Sequence, residues 1–286
     1  MFVALHLNAQ TLNFETLENL SIRNVGPANM SGRITAIDVV ANNPKLMYVG
    51  AASGGVWKSE NGGSAWRPVF DDQPTQNIGA LAIQQSNPDV VWVGTGEGNP
   101  RNSMNLGMGI FKSVDAGKTW RHMGLEATKT IHRIVIDPRD ENVIYVGALG
   151  DPFTENEHRG LYKSMDGGEN WTKILYSNTT SGIADLIMDP TNPDKLFAAL
   201  YQHKRTPYSF VSGGSGSGLF VSNNRGETWQ KIGVEEGFPQ GDLGRIGVAI
   251  APSNSNRIYA KVEAQKNVLY RSDDGGASWV VINDNP

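Results

Sequence analysis

One phrase of eight residues, Ser-x-[Asp/Asn]-x-Gly-x-x-Trp, occurs five times in this chain. The copies run from Ser59 to Trp66, Ser113 to Trp120, Ser164 to Trp171, Ser222 to Trp229 and Ser272 to Trp279, their first residues 54, 51, 58 and 50 positions apart. A repeat of that length is a supersecondary unit too short to bury its own apolar face, so neighbouring units must stack on one another. The 286 residues are therefore expected to form one array rather than two ordinary cores.

Each unit has the same order of parts. An apolar segment comes first, at 33–40, 78–84, 131–137, 183–189 and 245–251. A turn rich in Asn, Pro and Asp follows, such as Asn42-Asn43-Pro44 or Thr191-Asn192-Pro193. There Pro fixes φ, and the Asn or Asp side chain satisfies nearby amides. The second apolar run, as in Val143-Ile144-Tyr145-Val146, is nearly continuous, which suits a strand covered on both faces. A short third strand enters the Ser of the phrase, and a fourth begins at its Trp. Four short antiparallel strands repeated five times predict an all-β propeller, its blades at about 32–70, 78–123, 131–175, 183–232 and 244–282. A parallel β-helix has shorter repeats. Thirty-three Gly and fourteen Pro fit a turn-dense all-β chain. A closed five-blade ring and part of a larger propeller both remain open, with 20–25 as the N-terminal candidate for a ring-closing strand.

The phrase has a mechanical reading, as the hairpin between the third and fourth strands. Its Ser (Ser59, Ser113, Ser164, Ser222, Ser272) and its Asp or Asn (Asn61, Asp115, Asp166, Asn224, Asp274) can satisfy exposed turn amides. Its Gly (Gly63, Gly117, Gly168, Gly226, Gly276) supplies positive φ. Its Trp (Trp66, Trp120, Trp171, Trp229, Trp279) returns the chain to the core, where Trp→Ala typically costs about 3–5 kcal/mol. These twenty residues are expected to hold the fold and not to catalyse.

Composition excludes several functions. A net charge of −4 with scattered Lys and Arg gives no footprint for nucleic acid. Without cysteine there is neither a disulfide framework nor a thiolate metal site. Five His without metal spacing argue against zinc. Asp166-Gly167-Gly168 and Asp273-Asp274-Gly275-Gly276 lack the ligand spacing of a calcium loop. Neither a metal nor a cofactor is expected. Residues 1–20 read as an extended N-terminus, in which Met1 to Ala9 resembles the tail of a secretory signal, so a secreted, periplasmic or cell-surface protein is expected. No stretch is long enough to span a membrane.

The phrase is identified as an Asp box, found in BNR-repeat proteins such as sialidases, xyloglucanase-type glycoside hydrolases and the Vps10/sortilin propeller. Gly32-Arg33-Ile34, Tyr48-Val49-Gly50, Gly54-Gly55-Val56-Trp57-Lys58 and the box together resemble bacterial sortilin/Vps10-like proteins, often labelled glycosyl hydrolases. The resemblance covers nearly all of the chain after about Ser21, and such relatives are usually longer, with further blades or domains. It implies a binding module for a peptide, protein or glycan. In the xyloglucanase type a catalytic Asp stands two positions before a Gly-Gly pair, where this chain has Ala52 followed by Ser53. In sialidases three Arg bind a carboxylate. Arg33, Arg133 and Arg245 suggest such a set, but aligned through their second strands they fall at three different register positions.

Long variable loops on a rigid scaffold are where binding residues concentrate. The candidates for ligand contact are Glu97, Arg101, Asn102, Glu155, His158, Arg159, His203, Arg205 and Tyr208, with Asp151, Glu157 and Lys204 beside them. The leading expectation is an exported propeller that binds through this face. The alternative is a glycoside hydrolase, or a fragment of one, using paired loop carboxylates on a polysaccharide.

Overall fold

The computed structural model describes residues 33–101 and 103–284. The N-terminal segment, its candidate strand at 20–25, and Asn102 lie outside them. The described residues form five antiparallel sheets in which strands succeed one another in chain order. Blade 1 comprises β1 (Ile34–Val39), β2 (Met47–Ala51), β3 (Gly55–Ser59) and β4 (Arg67–Pro68), and blade 2 comprises β5 (Ile78–Ile83), β6 (Val91–Thr95), β7 (Ile110–Ser113) and β8 (Arg121–His122). Blade 3 holds β9 (Ile131–Ile136), β10 (Ile144–Ala148), β11 (Gly160–Ser164) and β12 (Thr172–Leu175). Blade 4 holds β13 (Ser181–Met188), β14 (Leu196–Arg205), β16 (Gly218–Ser222) and β17 (Gln230–Lys231), with β15 (Phe210–Ser212) paired to the extension of β14. Blade 5 holds β18 (Ile246–Ala251), β19 (Asn254–Val262), β20 (Val268–Ser272) and β21 (Val280–Asn283).

The core is divided among the gaps between successive blades. One cluster, with Tyr48, Phe70, Val91 and Val93, joins blades 1 and 2. Trp92 turns from the same strand to the cluster between blades 2 and 3. Both faces of β6 are thus covered, which is why its sequence is apolar without alternation. Equivalent clusters join blades 3 and 4 and blades 4 and 5. The first strands pack in the order β1, β5, β9, β13, β18, and among the described residues no comparable packing joins β18 back to β1. The described blades therefore form an arc of a propeller and not a closed ring.

Each box closes its hairpin as its chemistry predicts. The Ser Oγ accepts the Gly amide at 2.8–2.9 Å in all five copies. The Asp or Asn oxygen accepts the amide four residues on, as in Asp115 to Thr119 at 2.8 Å and Asp274 to Ser278 at 2.9 Å. The residue before the Gly is left-handed in every box: Gly62, Ala116, Gly167, Arg225 and Gly275 have φ of 58–73°.

The indoles depart from the expectation of uniform burial. Trp279 is buried, Trp120, Trp171 and Trp229 are half-buried, and Trp66 is 38% exposed. The reason is their partner. Trp120 donates to Val69 O (2.6 Å) and Trp171 to Met123 O (2.8 Å), both in the preceding blade. Trp229 and Trp279 donate instead to their own box Gly carbonyls (3.1 Å each) and meet the preceding blade through the shared apolar clusters, so the box Trp is a wedge between blades, and blade 1 has no described blade before it.

Candidate functional site

First strands start, and second strands end, at the same end of the arc, so the long loops gather there, opposite the Asn-Pro turns and the boxes. At this end the first strands are irregular. β1, β5 and β9 carry a bulge after their first paired residue, at Thr35, Gly79 and His132, and β13 carries one after its third, at Ala184, whereas β18 runs regularly there. A bulge re-aims a side chain, and at His132 it turns an imidazole inward among arginines.

Arg33 and Arg245 each stand immediately before the first paired residue, Ile34 opposite Ala51 and Ile246 opposite Val262. They share one register position, which corrects the sequence alignment that set all three arginines apart. Arg133 does lie two residues beyond Ile131.

Two of the three arginines are neutralised. Arg33 forms a two-pronged pair with Glu97, its Nε donating to Oε1 at 2.8 Å. Arg133 Nε donates to Asp185 Oδ1 at 2.7 Å, and Asp185 Oδ2 accepts the Val248 amide of the next blade at 2.9 Å. Arg245 is different. Its Nη2 donates to Asn99 Oδ1 (3.1 Å) and to His132 Nε2 (2.9 Å), both uncharged groups, and it forms no ion pair among the described residues. His132 Nε2 also receives Arg133 Nη1 at 3.2 Å. Accepting from two guanidiniums requires a neutral ring, protonated on Nδ1. Burial, then the charges of Arg133 and Arg245, hold its pKa well below the usual histidine value. Gly98 lies against the ring, where a Cβ would come 2.2 Å from Nδ1. Burial, and then Arg133, lowers the Arg245 pKa, so its charge is held in poorly solvated surroundings.

Beside Arg245 the surface is concave. A groove of about 400 Å³ runs over Arg245, Gly247, Lys261, Glu263 and Asn267. A second, of about 420 Å³, runs from Ser212–Gly214 to Gln240–Gly244 and shares Glu263. Glu263 is fixed by its Oε2 accepting the Arg245 amide (2.9 Å) and its Oε1 accepting the Ser212 hydroxyl (2.7 Å), and Ser212 is in turn bonded to the Tyr201 hydroxyl (2.8 Å). Asp242, which is exposed, lines the same second groove. Asn99, His132, Asp242, Lys261 and Glu263 were missed from sequence. Nothing in their local sequence marks them, since the strand register and loop packing that bring them together are not visible in residue type.

The sequence candidates separate into two groups. Glu97, Arg159 and His203 are interior, not loop-surface, residues. Arg159 Nη1 donates to Leu149 O (3.0 Å) and Thr180 O (3.1 Å), and its Nη2 to Asp151 O and Thr154 O, so it ties loop carbonyls together. Burial lowers its pKa to about 10. His203 stacks on Tyr201 at 4.9 Å, and burial, then Arg159, pushes its pKa down to about 3. The second group lies at the surface, Arg205 half-buried and the others exposed. Glu155 pairs with Lys204 (3.1 Å), tethering loop 151–159 to the β14–β15 hairpin. Arg205 lies 5.2 Å over the Phe210 ring, and Tyr208 stands 97% exposed at the hairpin tip. Arg101 and His158 are exposed at other loop tips. The hydrogen bond from Lys204 lowers the Glu155 pKa. No metal-ligating cluster occurs among the described residues.

These features define an Asp-box β-propeller array with a polar loop face, and comparison with known proteins agrees with the resemblance carried by the boxes. The model of the family "Sortilin, neurotensin receptor 3" (Sortilin-Vps10) matches residues 54–181. A Paenibacillus xyloglucanase is 24% identical over 92% of this chain and 27% of its own length, and a xyloglucanase of Hypocrea jecorina is 27% identical over 77% and 28%. Among solved structures, a GH74 enzyme of Niastella koreensis superposes with a TM-score of 0.65 at 21% identity, over 87% of this chain and 38% of the other. The chain thus spans about a quarter of the length of the curated relatives it matches. The likeness lies with glycoside hydrolases rather than with a binding module alone. No helix among the described residues is long and apolar enough to cross a membrane.

Proposed function

We propose that this chain is a polysaccharide-holding part of an exported, glycoside-hydrolase-like propeller protein, with the ligand in the paired grooves beside Arg245. The observation that carries the reading is the groove itself. It combines an arginine whose partners are neutral, a fixed carboxylate at Glu263, and Lys261 and Asn267, over a floor that includes Gly247. Directional polar groups on a rigid concave surface of this size suit a polyhydroxylated ligand. Its similarity to xyloglucanases supports a β-glucan backbone as the ligand. Ala52-Ser53 at the xyloglucanase-type position counts against carrying that enzyme's catalytic Asp across.

Calorimetric titration with xyloglucan oligosaccharides tests the proposal. Arg245→Ala and Lys261→Ala should each weaken binding roughly 10–100-fold, the equivalent of one charge-assisted hydrogen bond. Unchanged affinity in both variants would overturn the grooves as the site, and capture of peptides but not glycans would return the chain to a peptide- or protein-binding role. A catalytic contribution is favoured by one observation, that Asp242 and Glu263 share a groove. Glycoside hydrolysis needs two such carboxyls about 5–10 Å apart. Release of reducing ends that disappears in both Asp242→Asn and Glu263→Gln would assign them.

A further inference from the structure

Second strands in blades 1 to 3 stop after five residues, whereas β14 of blade 4 runs for ten. Leu196 to Leu200 pair with β16, and His203, Lys204 and Arg205 continue past the end of β16 to pair with Ser212, Val211 and Phe210 of β15. The result is an arm at the loop end of blade 4, a blade packed between blades 3 and 5. Its tip is a closed turn. Around Pro207, the Ser209 amide donates to Thr206 Oγ1 and the Thr206 amide to Ser209 O, both at 2.9 Å. Its base is tied on two sides. The Arg205 amide donates to Pro152 O (2.8 Å) and Lys204 pairs with Glu155 (3.1 Å), while Ser212 Oγ donates to Glu263 (2.7 Å). An arm held at tip and base keeps its side chains in place before any ligand arrives.

This arm displays rings where a solvated hairpin would carry polar groups. Tyr208, Phe210 and Val211 are exposed, and so is Phe153 of the adjoining loop. Side chains alternate along a strand, so Phe210 and Ser212 share one face of β15, and Arg205, opposite Phe210 in register, shares it too. Arg205 lies 5.2 Å over the Phe210 ring. Ser212 lines the second groove, and at the ordinary strand rise Phe210 stands about 7 Å further out along the same wall. The surface is mixed rather than oily, because Arg205, Thr206, Ser209 and Ser212 alternate with the rings. That mixture matches a pyranose, whose ring hydrogens form an apolar face edged by hydroxyls. The negative face of Phe or Tyr attracts those hydrogens, and the guanidinium and hydroxyl groups reach the sugar oxygens. A protein partner would need a larger continuous apolar area than these few side chains supply.

We propose that the β14–β15 arm is a stacking platform on which Phe210 and Tyr208 hold the sugar units that extend beyond the second groove. The ligand is then a glycan chain longer than the groove, and not a free monosaccharide or disaccharide. The inference rests on the reading of the grooves as a glycan site and adds its outward end. The rings contribute affinity only when a sugar reaches them, which makes chain length the variable that reveals them.

Calorimetric titration with cello-oligosaccharides of rising length, from cellobiose to cellohexaose, tests the platform. Affinity should rise as the groove fills and then by a further factor of roughly 10 once the chain reaches the arm. Tyr208→Ala combined with Phe210→Ala should abolish that last step and leave the dissociation constants of the shorter sugars unchanged. Tyr208→Phe should keep the step, because the ring and not the hydroxyl stacks. Phe210→Leu should shrink it, because apolar bulk without a ring face does not stack. Tyr208 is exposed at the tip and Phe210 at the edge of the arm, so these variants stay folded, which circular dichroism checks. A last step that survives the double substitution, or no gain with length in the unmodified chain, overturns the platform while binding of the short sugars upholds the groove. An equal loss at every length overturns it too, since the arm would then act through the groove. Absence of binding by every sugar, xyloglucan oligosaccharides included and whether or not peptides bind instead, overturns both readings together.

Discussion

At the scale of single residues, the boxes show which positions chemistry constrains and which it only tolerates. Three boxes place Gly at the left-handed position, whereas two use Ala116 and Arg225 at φ 61° and 58°. A non-glycine residue there costs about 1 kcal/mol. Ala116→Gly should therefore raise unfolding stability by up to about 1 kcal/mol in a urea titration. Arg225→Gly should gain less, because Arg225 also donates to Asp137 at 2.9 Å. The box acids make a second prediction. Hydrogen bonds from the hydroxyl and amide of Thr119 draw the pKa of Asp115 down to about 2, and the side chain and amide of Asn170 do the same for Asp166. A folded pKa below the unfolded one means stability that is fully present above the ordinary Asp value and is lost as pH falls towards 2. Acid unfolding followed by tryptophan fluorescence should thus steepen between about pH 4 and 2. Asp115→Asn with Asp166→Asn should flatten that limb, since Asn61 and Asn224 already fill the same role in blades 1 and 4.

At the scale of elements, the blades were legible because their second strands, such as β6 and β10, are two-sided apolar runs and because Asn-Pro turns and boxes recur between strands. What the sequence did not disclose was direction. The bulge that turns His132 inward occurs in four of five blades with different residues, Thr35, Gly79, His132 and Ala184, so no residue type marks it. For the same reason Arg33 and Arg245 were not seen to be equivalent, and Arg159 and His203 looked like loop residues though they fasten loops from within. The joint between blades was hidden as well, because Tyr48, Trp92, Tyr145 and Phe197 read individually as core residues. Its tightness can be measured. Gly168→Ala would put a Cβ 2.5 Å from the Trp92 ring at φ +95°, whereas Gly62→Ala at φ +71° meets nothing within 4 Å. The first should cost about 2–4 kcal/mol through overpacking and backbone strain together, the second only about 1 kcal/mol. Equal losses in thermal unfolding would show that the box glycines serve the turn alone.

At the scale of the whole molecule, the core is not one body but four main slabs, each belonging to two neighbouring blades, with a small further cluster of Leu149, Ala184 and Tyr201 between blades 3 and 4. Stability in such an array is a sum of blade terms and nearest-neighbour joints, so damage at one joint should stay near it. Trp279, 4% exposed, packs edge-on to Phe238 in the joint between blades 4 and 5. Trp279→Ala removes about 3–5 kcal/mol of packing. Hydrogen exchange read by mass spectrometry should then accelerate in β18–β20 and in β16, while β5–β7 keep their protection. The grooves beside Arg245 lie on blade 5 and the neighbouring loops, so the proposed sugar binding should be lost in this variant although most of the arc remains folded. That separates a ligand site carried by one blade from one that needs the entire array. Uniform acceleration from β1 to β21 would instead mean that the arc unfolds as a single cooperative unit, with joints coupled more strongly than their separate cores imply.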